Sequence, residues 1–149
     1  MEIILKNLQK KIPIRPQEII PPIRKILRSA GFRKVRLSLV FVADARMRAL
    51  NKKHLGHDYV TDVLTFAYAP ADVRKKFKKF SKTLDAEIIL APARVRTNAK
   101  VWGVPLKREL VLCLIHGILH CLGYDDHTPH HLKQMRNKER QWLAWIKNL

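Results

Sequence analysis

The chain has 149 residues, 47% of them apolar, which suits one domain with a buried core. Thirty Lys and Arg against twelve Asp and Glu leave a formal charge of +18, a balance that points to RNA, DNA or ribosomes ahead of membranes. No apolar run approaches the ~20 residues of a transmembrane helix, and the start Met1 to Lys6 lacks the marks of a secretory signal. Cys113 and Cys121 lie on the same predicted helix, roughly 12 Å apart at ~1.5 Å rise per residue, too far to bridge. The expectation is a reduced, cytoplasmic protein.

In chain order, residues 2–5 read as a first strand. Ile19, Ile23, Ile26, Leu27 and Ala30 recur at helical spacing, with Gly31 as a stop. Val35, Leu37, Leu39 and Phe41 alternate with polar residues as in a half-buried strand. Asp44 is expected to cap a short helix carrying Met47 and Leu50, and Asn51 to Asp58 to form a loop around Gly56. Val60 to Tyr68 is rich in β-branched and aromatic residues and predicts a strand. Residues 70–84 are the least patterned. Glu87 to Leu90 predicts another short strand. Pro92 opens a helix reaching about Trp102, and Pro105 opens a long apolar helix ending near Gly123. Thr128-Pro129 starts the last helix, whose buried stripe is expected to be Leu132, Met135, Trp142, Ile146 and Leu149. Strands and helices do not alternate regularly. The fold expected is therefore α+β, one small domain with a mixed sheet of about four strands packed with about five helices.

Five of the seven histidines lie between positions 116 and 131. His116 and His120 are four apart in an apolar helix, so both imidazoles share one face. Gly123 then lets the chain turn back, and His127 follows as a third nitrogen. Three imidazoles and one open position suit a catalytic zinc ion. His130 and His131 fall in the first turn of the last helix, where surface or RNA contact is expected. Asp125 and Asp126 suit either orienting an imidazole or shaping the turn. Zinc peptidases of the His-Glu-x-x-His type carry a glutamate where this chain has Gly117, so peptide hydrolysis by that route is not expected. A phosphodiester suits a metal flanked by basic side chains better.

The stretch His116-Gly117-Ile118-Leu119-His120-Cys121-Leu122-Gly123-Tyr124-Asp125 with its downstream histidine resembles the YbeY family. So do Gly56, Asp58 and Thr61 to Phe66 and, more weakly, Glu87-Ile88. The resemblance runs from about residue 50 to 130 in the expected order. It implies a zincin-like metal cleft and metal-dependent cleavage of single-stranded RNA, notably in 16S rRNA 3′-end processing and ribosome quality control. It places the metal, usually taken as zinc, on His116, His120 and His127, and the small ribosomal subunit among the partners.

The chain departs from the family pattern in three places. Asp126 is one residue more than usual between Asp125 and the third histidine, which makes it an alternative third ligand. Leu55 stands where many members carry an arginine, leaving Lys52, Lys53, His54 or His57 to supply positive charge. Val60 stands where proline is usual. A second RNA-contact candidate is the run Arg74, Lys75, Lys76, Lys78 and Lys79 with Phe77 and Phe80, cations for phosphates beside rings on which bases stack. The main rival function is a ribosome-assembly factor that binds rRNA and keeps its metal for structure.

Overall fold

The alternation in β2 (Phe32–Phe41) organises the core. In this computed structural model, which describes residues 1–68 and 82–149, β2 pairs in parallel with β1 (Glu2–Asn7) and β4 (Lys82–Leu90). β3 (Val63–Ala67) runs antiparallel to β4, giving the order β1-β2-β4-β3. Leu37, Leu39 and Phe41 stand opposite Ala86, Ile88 and Leu90, and all six are buried. Their face receives α1 (Pro16–Ser29) and α4 (Leu106–Cys121). On the other side, Leu64 and Ile89 gather with Val42 and with Met47 of α2 (Asp44–Leu55). The two-residue period of a strand thus feeds two separate apolar clusters from one sheet. With α3 (Pro92–Trp102) and α5 (Pro129–Leu143), the mixed four-stranded sheet and five helices match the α+β expectation.

Helix α4 runs through the middle. Leu110, Val111, Cys113, Leu114, Ile115, Ile118 and Leu119 are all buried, and the helix packs on α1, α3, α5, β3 and β4. Gly117 makes the close approach to the sheet possible. A Cβ there would lie 3.0 Å from Thr65 Cγ2 and 3.2 Å from two Ile88 methyl carbons.

Several boundaries differ from the sequence expectation: β1 runs on to Asn7, β3 is confined to Val63–Ala67, and α5 ends at Leu143, so Ile146 and Leu149 pack from beyond it. Helix α2 continues to Leu55 instead of yielding to a loop at Asn51. Asn51 is buried and its Nδ2 donates to the Tyr59 carbonyl at 2.9 Å, while Gly56 at φ +70° supplies the stop. Asp44 is not the cap. Ala43 occupies that position without a side-chain bond, and Asp44 sits in the first turn, where a carboxylate faces the helix dipole. Strand β4 starts at Lys82, because outward Asp85 and Glu87 belong to a strand whose other face is apolar. The basic stretch with Phe77 and Phe80 lies outside the described residues. Among the described residues, no helix is long and apolar enough to cross a membrane.

Candidate metal centre

Packing of α4 on its neighbours fixes where His116 and His120 point. Their side chains keep 24% and 26% of their exposure, enough to meet a ligand. Their Nε2 atoms lie 2.9 Å apart with the rings at 81°. Beyond α4 the chain turns at Gly123, φ +95°, where a side chain would be strained. Asp125 organises the next step. Its carboxylate accepts the His127 backbone N–H at 3.2 Å and meets His131 Nδ1 at 2.9 Å. The backbone hydrogen bond from His127 is the main cause of the lowered Asp125 pKa. This turn faces Asp126 toward the pair, its oxygens 3.8 Å from His116 Nε2 and 3.9 Å from His120 Nε2.

His116, His120 and Asp126 therefore form one group whose ligand atoms all lie within 4.8 Å of one another. His127 is exposed and is not in that group, although its charge helps to lower the His120 pKa. Two imidazole nitrogens and a carboxylate oxygen at these separations fit a small divalent ion, for which ligand bonds are about 2.0–2.2 Å. Thr128 caps α5 through the His131 N–H at 3.1 Å, as the Thr-Pro signal indicated.

Glu139 was missed by the sequence reading. Its Oε1 lies 2.6 Å from His116 Nδ1, and the residue is buried. A carboxylate can only accept here, so Nδ1 carries the proton and Nε2 turns its lone pair toward His120 and Asp126. Burial alone would lower the His116 pKa. The hydrogen bond and charge of Glu139, with Asp126 and Asp62, outweigh it, and the pKa is raised. At His120, burial and the charge of His116 outweigh Asp126 and the Tyr124 backbone, and the pKa is lowered. The signal for Glu139 was present in the sequence as a charged residue on the buried stripe between Met135 and Trp142.

A test follows from this contact. Glu139→Ala is expected to weaken zinc binding about 10–100-fold, the usual effect of losing an outer partner. Glu139→Gln, which keeps an acceptor, should lose less. Metal binding needs the unprotonated imidazole, so affinity falls as pH drops through the raised His116 pKa. Removing the Glu139 charge should move that fall to lower pH, as measured by zinc titration across pH.

A cavity of about 480 Å³ opens beside the group, lined in part by Asp62, Glu109, Cys113, His116, Asp126 and Glu139. Burial, then the charge of Asp62, raises the Glu109 pKa. Burial also pushes the Cys113 thiol well up, and its Sγ–H points to Asp62 Oδ2 at 3.9 Å. Lys52, Lys53 and His57 do not line this cavity. Lys52 pairs with Asp58 at 4.0 Å, Lys53 is exposed, and the His57 ring stacks on Tyr59. Leu55 is 56% exposed. Arg74, Lys75, Lys76, Lys78 and Lys79 fall outside the described residues.

The family model Endoribonuclease YbeY matches residues 4–147. A relative named Endoribonuclease YbeY from Amoebophilus asiaticus is 33% identical, over 93% of this chain and 88% of its own. One of the same name from Bacteroides thetaiotaomicron is 31% identical, over 90% and 91%. The solution structure of a Thermotoga maritima protein superposes with a TM-score of 0.63 at 26% identity, covering 97% of this chain and 88% of that one. A match that spans the sheet, α4 and the histidine turn together leaves one conclusion: the chain belongs to the Endoribonuclease YbeY family.

Proposed function

We propose that this protein is a zinc-dependent endoribonuclease that cleaves single-stranded rRNA in the cytoplasm, at the 16S 3′ end and in ribosome quality control. The observation that carries the reading is the His116–His120 pair, Nε2 atoms 2.9 Å apart, with the Asp126 carboxylate facing both, on a chain of charge +18. Two imidazoles and a carboxylate are a common zinc set. His116, His120 and Asp126 hold the ion, with His127 of the same turn as the alternative third ligand. A divalent ion there supplies the Lewis acidity that polarises a phosphodiester.

The chain's own groups do the rest. Glu139 keeps the His116 proton on Nδ1 and so presents Nε2. Glu109 lies in the cavity with its pKa raised by burial and by the charge of Asp62, which places a carboxyl there as the candidate for proton transfer. Basic side chains over the surface attract the RNA, so affinity should fall steeply with salt. Gly117 leaves no glutamate on this turn of α4, which speaks against a peptidase.

The decisive experiment is cleavage of a labelled single-stranded rRNA fragment by metal-stripped and zinc-restored protein, with His116→Ala purified in parallel against contaminating nuclease. Restoration by zinc and loss in the variant are expected. A folded, zinc-loaded protein that binds rRNA without cutting it favours the assembly-factor reading, for which the uncharged Leu55 is the specific observation.

A further inference from the structure

The cavity at His116 extends beyond the metal group along two facing helices. On α4, Arg108, Leu112, His116 and His120 follow at four-residue spacing and share a face. On α5, Leu132, Arg136 and Glu139, spaced by four and then three residues, also share a face. Arg136 is one turn before the glutamate that holds His116. Arg108 is two turns before His116 itself, about 12 Å along the axis at ~1.5 Å per residue. Both arginines line the cavity, and neither forms an ion pair among the described residues. The third wall is Trp102, which is 72% exposed although tryptophan is usually well covered. It is held at the end of α3 by Gly103, at φ +63°, and by Pro105 at the start of α4.

We propose that this groove seats one or two unpaired nucleotides of the RNA beside the reacting phosphodiester, with Trp102 stacking a base and Arg108 and Arg136 holding phosphates. The proposal rests on the endoribonuclease reading and adds where its substrate lies. Stacking on an exposed indole needs a base freed from pairing, so the groove selects single strands. Four carboxylates, Asp62, Glu109, Asp126 and Glu139, line the same cavity. They repel a phosphate until a divalent cation offsets them. The groove is therefore a subsite of the metal-loaded protein, and metal-independent attraction comes from the basic surface elsewhere.

The test uses zinc-loaded protein and a short 2′-O-methyl single-stranded RNA, which resists cleavage, followed by tryptophan fluorescence. The RNA should quench the exposed Trp102 indole. Trp102→Ala should weaken binding about tenfold, and Trp102→Phe should restore most of it. Arg108→Gln with Arg136→Gln should lower the salt slope by about 1.4, at ~0.7 per phosphate for single strands. Wild-type protein that binds the RNA unquenched, with Trp102→Ala equally tight, overturns the subsite and leaves the RNA reading intact. Wild-type protein that binds no RNA overturns both.

Discussion

His120→Ala is expected to lower zinc affinity well beyond the ~10–100-fold typical of losing an outer partner, and Asp126→Ala to do the same. His127→Ala should stay below about tenfold, under that range. The reason is geometric. Asp126 oxygens lie 3.8 and 3.9 Å from the two Nε2 atoms, while exposed His127, its backbone N–H bonded to Asp125, is not in that group. Competition against a chelating dye gives the affinities, and the urea midpoint shows that each variant is folded. If His127→Ala proves as damaging as His120→Ala while Asp126→Ala is mild, the third ligand is His127. At low salt, His120→Ala should lose only about the tenfold that the groove contributes, because a chain of charge +18 attracts phosphates without the metal. A collapse of RNA affinity along with the metal would mean that the groove beside His116 carries most of the binding.

The parts legible in the sequence were those governed by period and punctuation. Val35 to Phe41 alternates because one face of β2 is buried under α1 and α4. Pro92, Pro105 and Thr128-Pro129 mark the starts of α3, α4 and α5 to within a residue. The His116/His120 pair follows from four-residue spacing alone. What a single element cannot reveal is the contact between elements. Glu139 is an ordinary polar residue on α5 until α4 places His116 Nδ1 2.6 Å away. Arg108, Arg136 and Trp102 come from three helices, and only their packing gathers them into one cavity. The choice between Asp126 and His127 turns on one residue of loop, and only the folded turn shows that Asp126 falls in one group with the two imidazoles while His127 does not. The extent of α2 was missed because Asn51, polar in sequence, is buried by its hydrogen bond to Tyr59.

Gly117→Glu, which writes the zinc-peptidase pattern into α4, is expected to unfold the protein and not to create a peptidase. Position 117 is buried against β3 and β4. A Cβ there already meets Thr65 Cγ2 at 3.0 Å and Ile88 methyl carbons at 3.2 Å. Overpacking a tight core by a methyl or two costs about 1–3 kcal/mol. The rest of the side chain must then displace more of the sheet. Its carboxyl would enter a wall built of Thr65 and Ile88, and burying a polar group that finds no partner costs roughly 2–7 kcal/mol more. The sum is comparable to a whole domain's stability of about 5–15 kcal/mol. Gly117→Ala separates the two effects. It adds only the methyl, and its better helix propensity returns about 1 kcal/mol, so its net loss should be small. Urea unfolding followed by far-UV circular dichroism reads both variants. A Gly117→Glu protein with a native midpoint would show that Thr65 and Ile88 can yield. The glycine would then mark a difference in chemistry from the peptidases, with no steric requirement behind it. With the expected unfolding, the same glycine serves the fold first, by letting α4 sit close enough to the sheet to present His116 and His120 on its open face.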